Sequence, residues 1–303
     1  MDHETAGDPI SGLKWTRKTT EKIAAELRRL GIEISPNTTG RLLKELGYSL
    51  RVNHKKLSSG SGPERDEQFQ YIGDQRDRFS SKGLPIISVD TKKKELVGNF
   101  KNNGAVWCSA PFAVNDHDFR SLGEGIAIPY GIYDIQANRG SVFVGRSSET
   151  SELAVSSVEK WWRYDGNRRY GAPPELLVLA DAGGCNGYRR RAWKYNLQKR
   201  LCDRHGVSVT VCHYPPGASK WNPIEHRLFS EISKNWAGRP LDSYDTILNY
   251  IRTTQTKTGL SVKAYSDTKR YPTKVKISDQ QMKQIRLEKH DTLPHLNYTI
   301  TPS

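Results

Sequence analysis

Leu176-Leu177-Val178-Leu179-Ala180, closed by Asp181-Ala182-Gly183-Gly184, is the stretch on which the reading of this chain turns. Five consecutive apolar residues without polar alternation fit a central strand buried on both faces. Around it the periodicity changes to that of helices. Upstream, about Ser151 to Trp162, Leu153, Val155, Val158 and Trp162 share an inward face; downstream, about Tyr188 to His205, Trp193, Leu197 and Leu201 recur at spacings of four. A strand over Val207 to Cys212 and a helix over Ile224 to Trp236 follow. Farther upstream, residues 64 to 80 read as a helix and Ile86 to Lys92 as a strand that Glu95 to Phe100 pairs with or continues. Tyr130 to Ile135 and Ser141 to Gly145 form a hairpin across Asn138-Arg139-Gly140. Antiparallel strands first, then alternating helices and strands, predict a mixed α/β sheet with flanking helices.

Three acids sit where such elements end. Asp90 follows Leu84-Pro85-Ile86-Ile87-Ser88-Val89, Asp181 follows the central strand, and Glu225 opens the helix after Tyr214-Pro215-Pro216-Gly217-Ala218-Ser219-Lys220-Trp221-Asn222-Pro223-Ile224. If the two Asp-bearing strands are neighbours, both aspartates leave the sheet in one region, and the helix must cross that region for Glu225 to join them. Clustered carboxylates repel one another, a conflict that hard divalent cations relieve. Two such ions, Mg²⁺ or Mn²⁺, suit in-line phosphoryl transfer. Each acid also has an ordinary reading: Asp90 beside Lys92, Lys93 and Lys94, Asp181 as a turn residue before glycines, Glu225 as a first-turn acid.

Composition sets the context. The 303 residues suffice for one large domain and a small one. Lys and Arg number 47 against 33 Asp and Glu, a net charge of +14, which points to a polyanion such as nucleic acid. Cys108, Cys185, Cys202 and Cys212 form no Cys-x-x-Cys pair and are expected as buried free thiols in a reducing compartment. No apolar run approaches the roughly 20 residues of a membrane helix. With Met1-Asp2-His3-Glu4 lacking signal-peptide character, a cytoplasmic protein with no membrane partner is expected, nucleoid-associated when on DNA.

Residues 19 to 47 read as two short helices. Thr19 or Thr20 caps the first, with Ile23, Leu27 and Leu30 on one face and Gly31 at its end; Ser35-Pro36 opens the second, which carries Leu42, Leu43 and Leu46 and stops at Gly47. A helix-turn-helix would present the polar start of the second helix, Asn37, Thr38, Thr39 and Arg41, to a major groove; an ordinary helical hairpin is the alternative. Arg51, His54, Lys55 and Lys56 then lead into Ser58-Ser59-Gly60-Ser61-Gly62-Pro63, a linker. The expected organisation is a DNA-binding segment and linker over 1–62, a catalytic domain over 63–240 and a carboxyl-terminal extension over 241–303. The extension has a helix near Ser243 to Thr256, a strand-like Leu260 to Tyr265 and a helix after Ser278.

The blocks Ile87-Ser88-Val89-Asp90-Thr91-Lys92-Lys93-Lys94-Glu95, Leu179-Ala180-Asp181-Ala182-Gly183-Gly184-Cys185-Asn186-Gly187 and His213 to His226 resemble the signature blocks of bacterial insertion-sequence transposases of the DDE type. The Pro-Pro turn followed by Asn-x-Ile-Glu is similar to the last block of the mariner-like branch. The resemblance implies an RNase H-like catalytic fold and Asp90, Asp181 and Glu225 as ligands of two Mg²⁺ or Mn²⁺ ions. It further implies cleavage and strand transfer on double-stranded DNA, both element terminal repeats and target, by a homo-oligomer assembled there. Members of that group usually carry further DNA-binding helices before the region that starts here, so a shortened form is expected. An RNase H-like nuclease and a non-catalytic DNA-binding regulator remain alternatives.

Lesser candidates surround the acids. Asn186 and His226 could orient a nucleophile or phosphate, or merely cap and pack; Arg189, Arg190 and Arg191 could meet a DNA backbone or form a solvated helix face. Trp221 is expected in the core, and Asn115-Asp116-His117-Asp118 is too small to close a metal site.

Overall fold

The computed structural model describes residues 5–7, 14–16, 18–49 and 63–303. The basic residues Arg51, His54, Lys55 and Lys56, and the linker up to Gly62, lie outside the described residues. The chain divides into two compact units, 1–57 and 58–303.

In the first unit, β1 (Thr5–Gly7) and β2 (Lys14–Thr16) form an antiparallel pair that sequence reading did not anticipate. Helices α1 (Thr20–Arg29) and α2 (Pro36–Glu45) follow. Their boundaries are chemical: the Thr19 hydroxyl accepts from Lys22 N, the Ser35 hydroxyl accepts from Thr38 N, and Gly31 and Gly47 take positive φ just past the two ends.

The second unit opens with α3 (Pro63–Ser81) and is built on a nine-stranded mixed sheet. Its strands are β3 (Ile86–Thr91), β4 (Glu95–Val97), β5 (Gly125–Asp134), β6 (Arg139–Gly145), β7 (Glu175–Ala180), β8 (Ser208–His213), β9 (Ser261–Asp267), β10 (Leu287–Lys289) and β11 (Asn297–Ile300). They run β10-β11-β8-β7-β3-β5-β6-β9, with β4 beside β5. Within this sheet, β6-β5-β3-β7-β8 has the RNase H-like order: β5 is antiparallel to β3 and to β6, whereas β3, β7 and β8 are mutually parallel. The hairpin turns where Asn138 adopts φ +49°, a conformation asparagine tolerates.

β7 is the buried centre. Leu176, Val178 and Ala180 pack with α4 (Ser151–Trp161) and the helix that begins as α5 (Arg191–Asn196) and runs on to His205, whereas Leu177 and Leu179 pack with Ile72 and Phe79 of α3. Another part of the core joins Val142 and Val144 of β6 to Ile224, Leu228, Phe229 and Ile232, where the wide helical turn Glu225–Phe229 continues into α6 (Ser230–Asn235). Helix α7 (Tyr244–Arg252) packs there through Ile247, Leu248 and Ile251. Two glycines set how close that helix comes. A Cβ at Gly131 would lie 2.4 Å from a Phe229 ring carbon, and one at Gly140 would lie 2.5 Å from a Leu228 methyl.

Residues 241–303, read from sequence as an extension, supply β9, β10 and β11 to the sheet; β10 and β11 were not anticipated. The helix read after Ser278 is the short α8 (Asp279–Met282), started by a capping box between Ser278 and Gln281. Two core assignments are corrected. Cys108 is exposed, while Cys185, Cys202 and Cys212 are buried. Trp221 is 44% exposed, because it lies on the short turn Ser219–Trp221, where Lys220 Nζ sits 3.7 Å from its ring centroid.

Candidate active site

The register of β3 and β7 places two of the acids. Val89 pairs with Ala180 in parallel, so Asp90 and Asp181 each follow by one residue at the same end of adjacent strands. Across β3, Asp90 pairs with Gly131 of β5, the residue whose missing side chain admits Phe229 and Ile224. The helix starting at Glu225 therefore lies over this part of β3, and the Glu225 carboxyl is near enough to the two aspartates for their charges to act on one another. Asp90 and Asp181 line a cleft of about 720 Å³ with Tyr188, Arg189, Arg190 and the Pro215-Pro216-Gly217 turn.

Polar side chains beneath the acids fix them. Asn222, fully buried, donates its amide to Asp181 Oδ1 at 3.0 Å, and its oxygen accepts from the Ser88 hydroxyl. Ser88 in turn accepts from Ile224 N at 3.1 Å. One asparagine and one serine thus tie the start of the Glu225 helix to both Asp-bearing strands. His213 adds a tie from β8, its Nδ1 lying 3.0 Å from the Asp181 carbonyl, while Nε2 lies 3.2 Å from the Tyr298 hydroxyl. The carbonyl can only accept, so Nδ1 carries the proton and Nε2 accepts. Burial holds the His213 pKa down to about 4.

The electrostatics are those of crowded anions. Burial, then the charge of Asp181, pushes the Asp90 carboxyl up to about 8, with Glu225 and Glu149 adding to it. Glu225 is raised by burial and by Asp181, against the pull of His226 and Lys92. Asp181 is raised by burial, opposed by its hydrogen bonds from Ser219 and Asn222. Among the described residues no three His, Cys, Asp or Glu side chains make a ready-made metal-holding group, and Asn115-Asp116-His117-Asp118 provides none. The donor set nevertheless fits hard cations, since all three groups are carboxylates whose mutual repulsion a cation would remove.

The profile of the family described as the Rhodopirellula transposase DDE domain matches residues 1–302. The chain belongs to this DDE transposase family. Solved structures similar to it include the Mos1 transposase paired-end complex with left transposon end, at 15% identity and TM-score 0.46. The Mos1 mariner paired end complex with Mn is 15% identical with TM-score 0.44, and the Mos1 Strand Transfer Complex 16% identical with TM-score 0.44. In all three the match covers 77% of this chain and 65% of the other, so the chain spans about two thirds, and slightly less, of the Mos1 chains. No curated protein matches the sequence.

The remaining candidates of this DDE chain fall in different places. Arg189 and Arg190 reach the acid cleft, and Arg190 Nε donates to Gly184 O at 3.2 Å. Arg191 instead pairs with Asp279 at 2.5 Å. Asn186 is fully buried; its oxygen accepts from the Cys185 thiol and its amide finds no partner among the described residues. His226 is exposed and bonds back to the Lys220 carbonyl. Lys92 is buried, paired with Glu95 at 3.0 Å beneath the Trp236 ring, and Lys94 pairs with Glu149 at 2.9 Å. In the first unit Thr38 bonds to Ser35, and Thr39 is buried with its hydroxyl donating to Ser35 O. Arg41 stays exposed beside Glu45 at 3.9 Å. Sequence reading did not single out Ser88, Asn222 or His213 as supports. For Asn222 the signal was available, as a polar residue held three positions before an acid by an intervening proline.

Proposed function

We propose that the chain is a DNA transposase that cleaves the ends of a mobile element and joins them to target DNA. The observation that carries this reading is the placement of Asp90 and Asp181 at the ends of adjacent parallel strands, with Glu225 brought near both across Gly131, in a chain of the DDE transposase family. Asp90, Asp181 and Glu225 would hold two Mg²⁺ or Mn²⁺ ions. Ions held there would supply the positive charge that favours the attacking hydroxyl in its ionised form and the leaving oxygen of an in-line displacement.

The protein's own residues do the rest. Asn222, Ser219 and His213 keep Asp181 in place, Ser88 couples that set to the Glu225 helix, and Arg189 and Arg190 set positive charge on the cleft where phosphates must lie. Residues 1–62 are assigned to recognition of the element ends, through Thr38 and Arg41 at the start of α2 and through Lys55 and Lys56. Residues 63–240 with the strands of 241–303 are assigned to catalysis, and the working form is a homo-oligomer on double-stranded DNA.

The test is Mn²⁺-dependent nicking and strand joining on duplexes carrying the flanking terminal repeats, comparing wild type with Asp181→Ala. Joining that the variant abolishes is expected. Hydrolysis without joining would indicate a nuclease instead, and binding without nicking a regulator.

A further inference from the structure

The acid cleft does not end at Asp90 and Asp181. Past Gly184, Arg189 and Arg190, residues common to both, it continues into a second groove of about 780 Å³. One side is the start of α5, including Tyr195; the other is the segment 272–277, which carries Lys274 and Lys276. Arg191 fastens that segment, pairing with Asp279 at 2.5 Å and donating to Ile277 O at 3.4 Å. Lys274 takes φ +59°, a conformation uncommon for a side-chain-bearing residue.

The groove carries uncompensated positive charge. Glu149 and Glu152 also line it, but Glu149 is held by Lys94 at 2.9 Å, and Glu152 is shared by Lys269 at 2.7 Å and Arg200 at 3.3 Å. Arg189, Arg190, Lys274 and Lys276 have no carboxylate partner among the described residues. Four such cations lining a groove next to a half-buried tyrosine provide what a single nucleic-acid strand needs: charge that follows the backbone and an aromatic face for a base. A cleft of about 780 Å³ has room for a few nucleotides of one strand, not for both strands of a duplex.

We infer that this second groove binds single-stranded DNA, the strand that enters or leaves the acid cleft during cleavage. The inference rests on the transposase reading and adds to it a path for the separated strand. Lys274 and Lys276 are both exposed and outside the acid set, so replacing them leaves the fold and the carboxylates intact.

Fluorescence anisotropy on a labelled 20-nucleotide oligonucleotide and on the corresponding duplex provides the test, comparing wild type, Lys274→Gln/Lys276→Gln, and a control of equal charge change, Lys101→Gln/Lys257→Gln. The groove variant is expected to lose about tenfold in single-strand affinity, with a salt dependence shallower by roughly 0.7 per lost phosphate contact, while duplex binding and the control stay within about twofold of wild type. Unchanged single-strand binding in the groove variant, or an equal loss in the control, overturns the groove assignment. In that case wild-type strand joining shows that the transposase reading survives. Wild-type protein that binds DNA in neither form overturns both.

Discussion

The Asn222 amide donates to Asp181 Oδ1 at 3.0 Å while its oxygen accepts from Ser88, so a single fully buried side chain bridges the second acid and the strand of the first. Replacing it by alanine leaves the Ser88 O–H without its acceptor and removes one of the two side-chain hydrogen bonds that hold Asp181. A buried polar group orphaned in this way costs about 1–3 kcal/mol. Asn222→Ala should therefore melt about 2–12 °C lower, at roughly 2–4 °C per kcal/mol for a unit of this size, and lose at least tenfold in joining rate. The two readouts separate the roles. A melting loss with joining intact at a temperature where the variant is folded would show that Asn222 only stabilises.

Gly131 makes a prediction about approach rather than bonding. Any side chain there meets Phe229 and the Ile224 methyl, so Gly131→Ala must displace the helix that begins at Glu225. Overpacking of this kind costs about 1–3 kcal/mol, and the displaced part carries the third acid. Joining should fall far more than the melting temperature implies, and Phe229→Leu, which removes the clashing ring, should recover part of it. Failure of that second substitution to recover any activity from the Gly131→Ala background would count against the steric account.

What sequence reading could and could not reach follows from which forces are local. The Leu176 to Ala180 run, the N-caps at Thr19, Ser35 and Ser278 and the turn at Asn138 are written in adjacent residues, and each appears where those residues place it. β10 and β11 escaped because Leu287–Lys289 and Asn297–Ile300 are short strands held mainly by pairing, β11 bonding to β8 more than eighty positions earlier. The convergence of Asp90, Asp181 and Glu225 was legible as a conditional, since it required β3 and β7 to be neighbours. The supports Ser88 and His213 were not, because their value lies in partners remote in sequence, and Asn222 showed only its place three positions before Glu225, not its bonds to Asp181 and Ser88. Trp221 was misplaced because aromatic character alone does not separate a core ring from one stacked under Lys220 at a surface turn.

His213 sets a pH limit on stability. Its ring is buried neutral with a folded pKa of about 4, against about 6.5 in the unfolded chain, so the unfolded state binds more protons between those values. The stability it contributes is complete above about pH 6.5 and is lost as pH falls toward 4. Melting temperature should decline over that window in wild type, and less steeply in His213→Gln, which has no proton to take up. Parallel melting curves for the two proteins from pH 7 to 5 would contradict the assignment. The difference between them is the quantity to read, because the raised acids shift stability the other way over part of the range.

Those acids give the last prediction. Asp90 has a folded pKa of about 8 against about 3.9 unfolded, so what its protonated form contributes to the cation-free protein is fully present below about pH 4 and lost as pH rises through 8. A divalent cation takes the place of the proton, and its stabilisation should therefore grow with pH. At one hundred times its dissociation constant a bound ion adds about 2.7 kcal/mol, or roughly 5–11 °C for a unit of this size. Melts in EDTA and in Mg²⁺ or Mn²⁺ at pH 6 and pH 8 should show the larger cation shift at pH 8. Asp90→Asn should raise the EDTA melting temperature at pH 8, since it removes the charge that burial and Asp181 oppose, and should nearly abolish the cation shift. A shift of equal size in Asp90→Asn would place the ion elsewhere on the protein and remove the electrostatic basis for assigning Asp90 to the metal site.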